Sequence, residues 1–252
     1  MARIFRFRAT ITVIPIIITG TITTTRMDSP ALYRLMAWLS PSYPVGAFSY
    51  SHGLEWLVED GSIESCDSMV MWIEDILLWG SGRNDAILFT CAWRAATQQD
   101  MERLRDVRDH GTAFAGSAER HLEAHAQGRA FCDITRRTWT SSTLDRLLAE
   151  ERRPVPYPVA VAAAAFDHGI ALEPALGAYL HAFMANLVSA GLRLVPLGQT
   201  DGQRAMIALE PVIDALTQEA QRLDLSHLGS SALMADMAAM KHETQYTRLF
   251  RT

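Results

Sequence analysis

The sequence predicts an all-α fold, a single-domain helical bundle of roughly ten helices, on three observations. Apolar residues recur at three- and four-residue steps almost throughout the chain from Met27 onward. No interior segment shows the apolar/polar alternation of a half-buried strand. Residues that start and stop helices punctuate the pattern at short intervals. No repeat period is visible. The 252 residues fit one domain, placed at residues 27–252.

Ser29 with Pro30 opens a first helix that carries Leu32, Leu35, Met36 and Leu39, and Ser40-Pro41 ends it because the residue before proline avoids the α region. A second helix is expected over Ser49 to Glu59, stopping at Gly61, and a third over Cys66 to Trp79 with Met69, Trp72, Ile73, Ile76 and Leu77 at core spacing. Gly80-Ser81-Gly82 reads as a break, with Asn84 or Asp85 capping an apolar segment from Ala86 to Ala96. A charged helix follows from Thr97 to Asp109, then a longer one from Ala115 to Trp139. Ser142-x-x-Asp145 resembles a capping box for a helix that ends before Pro154.

Pro154-Val155-Pro156-Tyr157-Pro158 reads as an extended connector too short to be a domain linker. Two apolar helices follow, Val159 to Asp167 and Pro174 to Ala190, stopped by His168-Gly169 and Gly191. Thr200 or Asp201 begins another, in which Pro211 starts a new segment or makes a kink. The last helix runs from Ala232 to Lys241 and leaves His242 to Thr252 as a polar, basic tail.

Composition narrows the function. Apolar residues make up 49%, charged residues 20%, and the net charge is −5, which is neither a disordered acidic tail nor a nucleic-acid-binding signature. Cys66, Cys91 and Cys132 form no C-x-x-C pair, so each reads as a small apolar residue in a reducing compartment. Residues 1–26 differ from the rest: Arg3, Arg6 and Arg8 precede a Thr/Ile-rich stretch broken by Pro15 and Gly20. Seven threonines dilute that stretch, which lacks a small-x-small cleavage site, so a start assigned too early is preferred over a targeting peptide.

The segment from Ser42 to Glu55 is the most informative. It places Pro44, Gly46, Phe48, Ser49, Tyr50, His52 and Glu55 between two apolar runs, mixing aromatics with the residues that fix or free a backbone. Such a segment reads as a shaped recognition surface. Ser49, His52 and Glu55 at three-residue steps also suggest a hydrolase relay, but no Gly-x-Ser-x-Gly elbow supplies an oxyanion hole. No phosphate-binding loop and no G-x-G-x-x-G turn occurs, so any nucleotide must come with a partner.

His121 and His125, four residues apart, have the spacing of a metal-binding pair. No third ligand is evident, and Glu119, Arg120 and Glu123 around them suggest a solvated face, so two exposed histidines is the favoured reading. Leu197 to Gln203, with Gln199 and Gln203, is polar and turn-forming. The tail, with His242, Glu243, Tyr246, Arg248 and Phe250, carries residue types that fill interface pockets. A frayed terminus is the default for it, and ordering on contact with a partner is the sharper alternative.

Three groups of residues together resemble the urease accessory UreF family: Leu39-Ser40-Pro41 through Pro44-Val45-Gly46 to Phe48–Glu55; Glu119-Arg120 with Gln127-Gly128; and Leu197-Gly198-Gln199 through Gly202-Gln203 with His242–Tyr246 and Arg248-Leu249-Phe250. The similarity runs from Met27 nearly to the end. It implies an all-helical, cytoplasmic, non-enzymatic chain that self-associates as a dimer. The partners it implies are UreD (UreH in some bacteria), the GTPase UreG and apo-urease, to which Ni²⁺ is delivered with GTP hydrolysis. On that resemblance the residues named above from Pro44 to Glu55, Gln199, Gln203 and the tail become partner contacts, with no catalytic residue, metal ligand or cofactor. The alternative is a helical hydrolase or metal enzyme using His52 or the His121/His125 pair.

Overall fold

A computed structural model describes residues 28–149 and 153–251. The expected features of residues 1–26 lie outside them. Among the described residues there are eleven α-helices, two short 3-10 turns and no strand, so the chain is an all-α bundle.

Helix α1 (Ser29–Trp38) starts on Asp28, whose carboxylate accepts the Ala31 amide, with Pro30 in the first turn. The helix expected from Ser49 does not begin there. A 3-10 turn (Ala47–Ser49) is followed by left-handed His52 (φ 57°) and Gly53 (φ 81°), and only then by α2 (Leu54–Glu59). Gly53 is required twice over: its φ disfavours a side chain, and a Cβ there would lie 2.6 Å from the Ala238 and Ala239 backbone.

α3 (Cys66–Trp79) has the predicted bounds and core face and is capped by Ser65. α4 (Ser81–Thr97) contradicts the expected break, because the chain bends at Gly80 alone and resumes helix at once. α5 (Met101–Ala113) is capped by Asp100, and its first residue, Met101, comes four residues later than expected. α6 (Ala118–Thr138) starts on Ser117. In α7 (Ser142–Ala149) the cap is Ser141, not Ser142: its hydroxyl accepts the Leu144 amide and donates to Asp167.

The buried Val155-Pro156 link leads into α8 (Tyr157–Asp167), where Pro158 sits in the first turn. From Val159 to Ala165 every side chain is fully buried, and five of the seven are alanines. Small side chains let neighbouring axes come close, so α8 is the central rod, packed against α4, α6, α7 and α9.

α9 (Leu172–Leu194) runs past Gly191, the predicted stop. That glycine serves packing: a Cβ would stand 2.1 Å from the Met69 sulfur. α9 is long and apolar enough to cross a membrane, but half of the relevant window is buried inside the bundle, where it packs on α10 (Gln199–Ala220), α8 and α4. α10 continues through Pro211 as one helix. α11 (Leu233–His242) lies on α2 and α6. It brings the C-terminal tail back to the 42–55 segment.

Candidate functional site

The residues singled out at the two ends of the chain meet in space. α6 supplies a stripe of buried polar side chains, Glu119, Glu123 and Gln127, at four-residue steps and therefore on one face. Charged side chains are rarely buried unless paired, and these are paired with groups from both ends of the sequence.

The first cluster surrounds His52. Its Nε2 lies 3.1 Å from Glu123 Oε1 and 2.7 Å from Arg120 Nη1. Arg120 also donates to Glu123, and Gln127 Nε2 donates to Glu123 Oε1 at 2.9 Å. Burial pushes the Glu123 carboxyl up, but Arg120 and His52 outweigh it and hold the group at about 2. Burial and then the Arg120 charge lower His52, which favours the neutral ring. Beyond Arg120, Asp85 accepts from the Tyr179 hydroxyl at 2.8 Å, and desolvation raises its carboxyl to about 6 against the pull of Arg120. These groups floor a cavity of about 310 Å³ walled by Tyr43, Tyr157 and Phe183, with Phe48 among its lining residues.

The second cluster holds the tail. His242 is fully buried between two carboxylates: Nε2 is 3.1 Å from Glu55 Oε2, and Nδ1 is 3.0 Å from Glu119 Oε2. Glu55 also accepts the amides of Leu249 (2.6 Å) and Phe250 (2.9 Å). Arg248 Nη1 donates to Glu119 at 3.2 Å, and the Arg251 amide donates to the Ser49 carbonyl at 2.8 Å. Desolvation raises the Glu119 carboxyl, with His242 and Arg248 opposing. The tail is thus packed against the body in this structure rather than frayed.

This sorts the sequence-selected residues into two sets. His52, Glu55, Tyr50, His242 and Phe250 face inward, whereas Phe48 (62% exposed), Tyr246 (103%) and the neighbouring Leu249 (68%) face out. Pro44, Glu243 and Arg248 are exposed, and Gly46 and Ser49 are half-buried. Gln199 and Gln203 are exposed on the first turns of α10, outside both clusters. Ser49, His52 and Glu55 do not form a relay, since His52 turns to Glu123 and Arg120 while Glu55 turns to His242 and the tail.

His121 and His125 stack edge to face at 4.0 Å, His121 exposed and His125 half-buried. Desolvation and then the neighbouring His121 lower His125. Among the described residues no group of three or more His, Cys, Asp or Glu side chains could hold a metal ion. Sequence reasoning did not single out Glu123, Asp85 or Arg193 as site residues. The signal for Glu123 was the Glu119/Glu123/Gln127 spacing running into Phe131, an unusually polar stripe on a core-facing side.

Comparison with known proteins decides the family. The UreF family model matches residues 63–210. The chain is 49% identical over 228 residues to a urease accessory protein UreF of Bradyrhizobium sp. strain BTAi1, covering 90% of this chain and 95% of that one. The chain belongs to the UreF family. UreF proteins of Bradyrhizobium diazoefficiens (48% over 225 residues) and Rhodopseudomonas palustris strain BisB5 (49% over 225 residues) each align with 89% of the chain and over 93% of their own length. The UreF family is one of urease accessory proteins, and of the segments that carried the resemblance the first cluster joins 42–55 to α6 and the second joins the tail to both.

Proposed function

We propose that this chain is a non-catalytic adaptor in nickel-centre assembly. It would link UreD and the GTPase UreG on apo-urease and gate GTP-dependent nickel delivery, in the cytoplasm and as a homodimer. What supports this is family membership together with one structural observation: Phe48 and Tyr246–Leu249, about 200 residues apart in sequence, stand outward on segments joined by the Arg251–Ser49 bond. Exposed aromatic and aliphatic side chains on a backbone fixed from beneath are suited to gripping another protein, because little ordering entropy remains to be lost on binding. The inward residues of the same motifs then act as the mount, and the outward ones as the contacts.

The test is capture of UreD and UreG by the full chain and by Phe48→Ala, Tyr246→Ala and the double variant. The expected result is at least a tenfold loss of capture and a matching loss of urease activation. Undiminished capture by the double variant would remove the contact assignment. Substrate turnover by the purified chain alone would favour the enzyme reading.

A further inference from the structure

Tail amides have no helix or sheet to pair with, so the groups that accept them decide where the tail lies. A carboxylate offers two oxygens and about four lone-pair positions. Glu55 accepts the consecutive Leu249 and Phe250 amides, and His242 Nε2 stands against the same carboxylate. Arg251 adds a third consecutive backbone bond, to Ser49. Three pinned residues in a row leave the tail one course across the surface, with Leu249 turned out and Phe250 turned in.

On the opposite side Arg193, in the last turn of α9, bridges the two halves of the rim. Its Nη2 donates to the Phe48 carbonyl at 3.0 Å, and its guanidinium lies 4.3 Å from the centre of the buried Phe250 ring. Its Nε donates to the Ser189 carbonyl, which fixes the side chain on its own helix. One side chain therefore ties the Phe48 turn to the tail.

We infer that Glu55 and Arg193 are positioning residues for partner docking: they set where Phe48, Tyr246 and Leu249 stand without themselves supplying the contact. What the rim binds rests on the adaptor reading; how the rim is built does not. The substitutions that separate this from ordinary stabilisation are Glu55→Gln and Arg193→Lys. Glutamine keeps the shape but turns an NH₂ donor toward an amide donor, so one of the two tail amides must be released. Lysine keeps the charge of Arg193 but loses the planar fork that meets carbonyl and ring together.

The experiment is amide hydrogen exchange on the full chain, with a double-mutant cycle on UreD affinity. In Glu55→Gln at least one of the Leu249 and Phe250 amides should exchange about tenfold faster while α8 amides are unchanged, a local opening rather than global loosening. Arg193→Lys should speed exchange in both the tail and the 47–50 turn. In the cycle, Tyr246→Ala should weaken UreD binding at least tenfold in the parent chain but less than twofold in the Glu55→Gln background, because a released tail no longer presents Tyr246. Unchanged tail protection in Glu55→Gln, or a full Tyr246 effect in that background, overturns the inference. If the parent chain captures no UreD, the adaptor reading falls while the exchange comparison still decides the positioning role.

Discussion

The inward and outward residues of one motif behave as two different materials. Within eight positions Phe48 faces solvent, whereas His52 and Glu55 are buried in charge networks reaching α6 and the tail. Residue type alone would group all three as contact residues. Burial separates them: His52 Nε2 and both Glu55 oxygens are engaged inside the protein, and only the outward ring has surface to offer. The same split recurs in the tail, where Phe250 is 4% exposed and Tyr246 fully so. The two sets should therefore fail differently when mutated, the mount through stability or the placement of the tail and the rim through the contact itself.

Glu123→Ala should show the largest effect. It strips the carboxylate from buried His52 and Arg120 together, and breaking such a network by removing one partner costs about 3–5 kcal/mol. Urea melts check it; a loss below about 1 kcal/mol would erase the distinction between mount and rim. Gly128→Ala should come next, at about 3 kcal/mol, because its Cβ would stand 1.9 Å from the Val155 carbonyl oxygen and force α6 away from the link into α8.

Asp85 and Glu123, on either side of Arg120, sharpen the comparison through pH. Asp85 titrates at about 6 in the folded chain against 3.8 when unperturbed, so between those values the native state keeps a proton that the unfolded chain has lost. Its contribution to stability therefore falls as pH rises through that window. Glu123 is the reverse: held at about 2 against 4.5, it contributes stability above pH 4.5 that is lost as pH falls toward 2. Asp85→Asn should accordingly gain about 1–3 kcal/mol at pH 7 and little at pH 4, read from melts at both. A gain of equal size at both pH values would contradict the assignment. Phe48→Ala should give the smallest stability change, within about 0.5 kcal/mol, despite the large binding loss expected of it.

Much of the fold was legible because local signals agreed with tertiary needs. The α3 bounds and core face follow directly from Ser65, Met69, Trp72, Ile73, Ile76 and Leu77. The errors lie where packing overrode a local preference. Gly191 and Gly82 read as breaks but sit inside helices, where Met69 and Leu77 crowd the missing Cβ. At Pro211, one of the two expected outcomes, a new segment, does not occur, because α10 runs through it. The helix expected from Ser49 starts late because the left-handed His52-Gly53 pair that accommodates α11 leaves no mark in periodicity. Site residues were legible as motifs but not as inward or outward, since that depends on α6 and the tail closing over them from 70 and 190 residues away.

The most direct test of the account is co-purification of UreD and UreG with the full chain carrying Phe48→Ala and Tyr246→Ala together. The account predicts a protein as stable as the parent, within about 1 kcal/mol, that captures both partners at least tenfold less well. A stable double variant that assembles the complex and activates urease like the parent would contradict it.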